Sequence, residues 1–297
     1  PTPEPVRDGA IQAIINRESR YSYAEGVTHL REQIAKKLER DNNITADPNS
    51  EIVVGIGATG AFINTVTGLL NPGDGIVLFE PYYGYHLNCA KVSGLIPQYV
   101  TLKAPDFEVR AEDIEVAITS NTRAIVICTP SNPCGKMFSA AELELVGQIA
   151  EKHNLLIISD EIYEYIGYDG REHISPAFIP SIRDRCVTIM GLSKTFSITG
   201  WRLGYAVAKP EFAETLTLVN DLFYICAPTP LQHGAAAGFD LPESFFDSLQ
   251  TTYQKKRDLF CGALKQAGME PIIPQGAYYV LARVHEFGFE SSKHAVT

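Results

Sequence analysis

From residue 51 onward the chain alternates short apolar runs with stretches of helical periodicity, and this rhythm restricts the fold more than any other feature. The runs at 52–55, 76–79, 96–101, 124–128, 155–159, 187–190 and 203–208 have strand length. Between and after them, 59–70, 140–153 and 211–222 carry helical spacing. Parallel strands need long crossovers, usually helices, so this alternation predicts an α/β domain with a mostly parallel sheet flanked by helices. Ahead of it, 3–17 places Val6, Ala10, Ile11, Ile14 and Ile15 at helical spacing, and 27–40 places Leu30, Ile34 and Leu38 on one helix face. After Leu241-Pro242 the rhythm changes to one long helix, 243–267, followed by strands near 271–273 and 278–282. The expected division is a large domain over 1–250 and the start of a smaller α+β C-terminal domain over 251–297, incomplete here. The chain opens on Pro1 and its last residues, 293–297, read as the inside of a helix, so terminal portions of the natural protein are expected to be absent.

A chain of 297 residues with 45% hydrophobic and 20% charged residues can bury a full core. Its net charge of −10 argues against general affinity for nucleic acid, which needs a basic face. No stretch approaches the roughly 18 uninterrupted apolar residues of a membrane span. Cys89, Cys128, Cys134, Cys186, Cys226 and Cys261 show no CxxC spacing, so no metal or redox motif is expected. Free thiols point to a reducing, cytoplasmic setting.

Chemistry-bearing residues cluster where the expected strands end. Gly55, Gly57 and Gly60 lie between a strand and a helix, where free amides of Gly57, Ala58 and Thr59 suit a phosphate; a plain structural turn is the competing reading. The same glycines match GxGxxG, with Glu80 placed as a ribose-binding acid, so a nicotinamide-dependent dehydrogenase is a second candidate. Pro81-Tyr82-Tyr83 puts aromatics after the next strand, either stacking on a planar ring or simply packing. Asn132, between prolines, follows another strand, in a segment that could equally be an ordinary turn. Asp160 closes the run 155–159 with Tyr163 three residues on; a buried acid there needs a cation or several donors, or caps a helix. Finally, Gly191-Leu192-Ser193-Lys194 and Thr199-Gly200-Trp201-Arg202 set a lysine and an arginine between two apolar runs, solvated in a surface loop or facing something anionic or electrophilic.

Together these residues suit one planar, phosphorylated, aldehyde-bearing ring. Gly57, Ala58, Thr59, Ser193 and Arg202 would take the phosphate and Tyr83 the ring face. Asp160 would meet the ring nitrogen, Asn132 and Tyr163 the phenolic oxygen, and Lys194 the aldehyde. A dehydrogenase accounts for the glycines and leaves the rest without a purpose.

The ordered set resembles the class I and II aminotransferases of fold type I, which use pyridoxal phosphate, from Tyr21 to about residue 282. The matching motifs are Tyr21, Gly26 and Leu30-Arg31, the glycine turn, Pro-Tyr-Tyr, Asn-Pro-x-Gly, Asp-Glu-x-Tyr, Ser-Lys and Gly-Trp-Arg. The resemblance implies a Schiff base between Lys194 and the cofactor, amino acid and 2-oxo acid substrates, and a homodimer in which Tyr21 reaches the phosphate of the neighbouring subunit. It also implies that Lys194 moves the substrate Cα proton while Asp160 keeps the ring nitrogen protonated. Gly191 stands where many relatives carry a phosphate-binding serine, and Cys134 replaces the usual threonine of the Asn-Pro loop. The resemblance places the arginine for the substrate α-carboxylate near the natural C-terminus and a glycine loop ahead of the region present here, so neither can be named in this sequence. A carbon–sulfur β-lyase with the same cofactor is the alternative chemistry. A cofactor-sensing regulator is disfavoured, because no basic helix-turn-helix stretch accompanies the domain.

Overall fold

A computed structural model describes residues 1–284, 287–289 and 293. Seven strands form one sheet: β1 (Ile52–Ile56), β2 (Gly75–Glu80), β3 (Ile96–Thr101), β4 (Thr122–Cys128), β5 (Leu156–Asp160), β6 (Cys186–Gly191) and β7 (Leu203–Val207). Their spatial order is β1-β7-β6-β5-β4-β2-β3, and only β7 runs against its neighbours. The helices are α1 (Glu4–Ile15), α2 (Thr28–Asn42), α3 (Gly57–Leu69), α4 (Gly84–Val92), α5 (Ala111–Ala117), α6 (Ala140–Lys152), α7 (Pro180–Arg183), α8 (Leu192–Thr195), α9 (Pro210–Tyr224), α10 (Thr229–Gly238) and α11 (Glu243–Gln266). A separate antiparallel pair, β8 (Glu270–Ile272) and β9 (Leu281–Arg283), follows.

The central strands are apolar on both faces because both faces are covered. Val53, Ile76, Leu78, Val126, Ile158 and Ile189 pack under α3, α4 and α9. Their neighbours Val54, Val77, Ile125, Ile127 and Ile157 pack against α2, α6 and α10. Leu30, Ile34 and Leu38 of α2 are fully buried, and truncating any one to alanine would cost about 2–5 kcal/mol. At α6, Ser139 and Glu142 form a reciprocal capping box that fixes where the helix begins, worth about 1 kcal/mol.

Three differences from the expected pattern have physical causes. In α1 the buried residues are Val6, Ala10 and Ala13, facing α10, while Ile11, Ile14 and Ile15 point outward. The second C-terminal strand begins at Leu281 instead of 278. Gln275 and Ala277 spend their backbone groups on another segment, with Tyr168 N donating to Gln275 O (2.9 Å) and Ala277 N to Ile166 O (2.9 Å). Helices α4, α5 and α10 lie outside the helical stretches read from sequence; α4 and α5 are short, and α10 is rich in glycine and alanine, so their periodicity is weak. Position 250, the end of the expected large domain, falls inside the unbroken helix α11. The helix expected over 293–297 lies, apart from Lys293, outside the described residues. Among the described residues no helix is long and apolar enough to cross a membrane.

Candidate active site

The carboxyl ends of β1, β6, β5, β4 and β2 face one way, and the start of the reversed strand β7 joins them at that edge. Residues from six adjacent strands are thereby brought to one cavity. Its lining includes Ala58, Thr59, Tyr83, Asn132, Asp160, Tyr163, Ser193, Lys194 and Arg202, which gathers nearly every residue singled out in the sequence. Strand β3, at the far edge beyond β2, contributes no lining residue.

Gly57 begins α3 at φ +70°, a conformation that favours glycine, and a Cβ there would stand 2.6 Å from Arg202 Nη2. The guanidinium thus lies against the first turn of α3, whose N-terminus has no side-chain cap. Arg202 Nη1 donates to Thr199 O (3.0 Å), and among the described residues Arg202 pairs with no carboxylate. Open helix amides beside an unneutralised arginine form an anion site. Ser193, buried in the short helix α8, lines the same cavity.

At the other end Asp160 accepts from His86 Nε2 (2.8 Å) through Oδ2 and from the Ile162 amide (3.3 Å) through Oδ1. His86 is buried, stacks on Phe62 with centroids 4.6 Å apart, and meets the edge of Tyr83. The cationic or donor partner that Asp160 requires is therefore His86, a residue sequence reasoning missed. Its signal was local: Tyr83 caps α4, and His86 falls in the first turn of that unforeseen helix.

Tyr83 and Ile162 both line the cavity, and burial, helped by the nearby charge of Asp160, pushes the Tyr83 hydroxyl up to about 12. The Tyr163 hydroxyl lies 2.8 Å from that of Tyr279, and burial followed by this bond raises it far above the usual tyrosine range. Tyr279 was not anticipated; the strand expected at 278–282 hid it. Asn132 is presented by a tight loop in which Ser131 N donates to Lys136 O (2.8 Å) and Gly135 N to Ser131 O (2.9 Å). Cys134 of that loop is buried in the core, away from the cavity lining.

Gly191 has its own explanation. A Cβ there would lie 2.7 Å from Ile162 Cδ1, so the isoleucine occupies the space a serine side chain would need. Ile162 packs where a side chain at position 191 would stand. Tyr21 stands apart: it is 78% exposed and does not line the cavity of its own chain. Glu80 also lies outside the cavity, accepting from Thr101 of β3 (2.8 Å), while Gly55 and Gly60 pack tightly against Ala61 and Ile56. The dinucleotide reading loses both its acid and its glycine cradle.

The family model for aminotransferase class I and II matches residues 2–290. The chain belongs to that family. Kynurenine–oxoglutarate transaminase 3 of Mus musculus is 35% identical over 264 residues, covering 83% of this chain and 58% of the mouse protein. The aspartate aminotransferase of Pyrococcus abyssi is 31% identical, covering 98% of this chain and 76% of its own length. Among solved structures, the aspartate aminotransferase from Thermus thermophilus with maleate superposes with a TM-score of 0.94 at 29% identity, over 99% of this chain and 77% of that one. The chain spans under two thirds of the mouse and rat kynurenine transaminases it matches. Class I and II aminotransferases use pyridoxal phosphate, and the residues here fit it. An anion site at Gly57–Thr59 and Arg202, two flanking faces at Tyr83 and Ile162, a carboxylate at Asp160 and an amine at Lys194 all border one cavity.

Proposed function

We propose that this protein is a pyridoxal-phosphate-dependent aminotransferase moving an amino group from an amino acid to a 2-oxo acid. The observation that carries the reading is the cavity itself, where the Lys194 amine and the Asp160–His86 pair line one space bordered by an anion site. Relatives named as kynurenine and aspartate aminotransferases support the reaction class. When bound, the cofactor supplies an electron sink for negative charge developing at the substrate Cα.

The chain's own residues do the rest. Arg202, Ser193 and the α3 amides would hold the phosphate, fixing the ring's register. Tyr83 and Ile162 would confine the ring from either side. Asp160, oriented by His86, would hold a proton on the ring nitrogen, and Asn132 and Tyr163 would donate to the phenolic oxygen. Lys194 would anchor the cofactor covalently and, once released, carry the Cα proton as general base. The reconstituted protein should be yellow, and its near-visible absorbance should change when an amino acid is added. Lys194→Ala should abolish both the change and formation of oxo acid, a loss on the order of 10²–10⁴-fold. A colourless protein, or an unaffected Lys194→Ala variant, would reject the reading; ammonia and pyruvate in place of oxo acid would mark elimination.

The protein is also proposed to act as a cytoplasmic homodimer, with Tyr21 entering the neighbouring subunit's cavity. Support comes from a run of exposed apolar side chains: Ile14 and Ile15 on α1, Tyr21 and Tyr23 in the next loop, and Leu222 and Phe223 on α9. That loop is tied between the elements, since Thr229 Oγ1 donates to Arg20 O (2.7 Å) and Asn220 Nδ2 to Ala24 O (2.7 Å). Loss of the dimer in Ile15→Glu, together with loosened cofactor in Tyr21→Phe, is the expected outcome. A two-domain division near the middle of α11 completes the proposal.

A further inference from the structure

Lys194 borders two spaces. Beyond the cofactor cavity lies a second cleft of about 460 Å³, within the range of small-molecule sites. Ser193, Lys194, Thr199 and Tyr279 line both, so the amine sits at their junction. A substrate must bring its amino group to the point where Lys194 holds the cofactor. With the ring filling the first cavity, its side chain is left the second.

That cleft is walled by aromatic rings. Tyr278 and Tyr253 stack with centroids 5.7 Å apart at 22°, Lys194 Nζ lies 5.6 Å from the centre of the Tyr278 ring, and Phe260 completes the wall from α11. Tyr278 and Phe260 keep much of their surface open, 37% and 54%, so an incoming ring has faces to cover. The charges present do not favour an acidic side chain. Arg257 is already neutralised, with Nη1 and Nη2 each 2.7 Å from Asp169 and Nε 2.8 Å from Asp258. Lys256 lies over the Tyr253 ring at 4.8 Å, on the exposed rim. Among the described residues lining the cleft, Arg257 therefore offers a carboxylate no free bidentate edge, and Lys256 could meet one only at the solvated rim.

We propose that the donor substrate is an amino acid with an aromatic side chain, whose ring packs against Tyr278, Tyr253 and Phe260. The proposal rests on the aminotransferase reading for its reaction and on the cleft for its specificity. Full-length protein carrying pyridoxal phosphate is offered phenylalanine, tyrosine, alanine and aspartate, with oxo acid measured for each. In parallel, α-methylphenylalanine and α-methylaspartate, which lack the Cα proton, are titrated against the cofactor absorbance to read binding alone. Phenylalanine and tyrosine should exceed alanine and aspartate in kcat/KM by at least about tenfold, and α-methylphenylalanine should bind more tightly than α-methylaspartate. Tyr253→Ala and Phe260→Ala should each lower the phenylalanine-to-alanine ratio by about threefold to tenfold, and Tyr253→Phe, which keeps the ring, should restore it. Preference for aspartate or alanine, or a ratio unmoved in both alanine variants, overturns the aromatic assignment. Tight α-methylphenylalanine binding without oxo acid from any donor overturns the aminotransferase reading and leaves the aromatic site standing.

Discussion

The two spaces that meet at Lys194 are built differently. On the cofactor side most groups sit at or next to the end of a buried strand, so backbone pairing across six adjacent strands holds their positions. On the cleft side the walls come from one helix, α11, and the irregular segment 274–280, joined to the sheet by a few contacts such as the amides of Gln275 and Gly276 on Gly135 O (2.9 Å each). A rigid, sheet-borne site suits the invariant part of a reaction, where sub-ångström placement governs rate. A wall of exposed rings on a separate element suits the variable part, where apolar selectivity is worth only about one to two orders of magnitude. Substitutions on the first side should therefore act on every donor alike, and those on the second should sort donors.

Asp160→Ala should have the largest effect of the sheet-borne changes after Lys194, lowering kcat/KM by about 10²–10³-fold for all donors, because the proton on the ring nitrogen loses its carboxylate. Steady-state rates with one aromatic and one small donor check this, and a donor-selective loss would break the division. Next, Arg202→Ala should weaken cofactor binding by about tenfold to a hundredfold, since bonds to a charged group are worth about 1.5–3 kcal/mol. Titration of the visible absorbance measures it. Tyr279→Phe tests the boundary, because Tyr279 borders both spaces. Losing its bond to Tyr163 should cost about 1 kcal/mol, a severalfold rate loss shared by all donors, and a loss confined to aromatic donors would assign Tyr279 to the cleft.

The smallest effect is on stability at high pH. Tyr83 holds its proton up to about 12 in the folded chain, whereas unfolded tyrosine releases it near 10. Stability is thus fully present below about pH 10 and falls as pH rises from there toward 12, because only the unfolded state gains from deprotonation. Urea midpoints at about pH 9 and about pH 11 should separate, and less so in Tyr83→Phe. Tyr163 and Tyr165, raised mainly by burial, act in the same direction.

Much of the cofactor side was legible because its information is local. A short apolar run ending in Asp160, or in Gly191 and Lys194, announces both a buried strand and the side chain delivered at its end. Sheet order then decided how those ends converge, and the reversal of β7 is what sets Arg202 beside Gly57. The cleft side was not legible. Tyr278 and Tyr279 sit in what reads as an ordinary alternating strand, and only the diversion of Gln275 and Ala277 toward 166–168 turns them to the site.

By itself the sequence determined the α/β alternation and most of the residues that border the cofactor cavity, since strand period and strand-end chemistry are properties of short segments. The tertiary structure alone decided that His86 orients Asp160, that Ile162 fills the space beside Gly191, that Tyr279 partners Tyr163, and that Ile11, Ile14 and Ile15 face outward. Each depends on which distant element arrives alongside, and no local period encodes that.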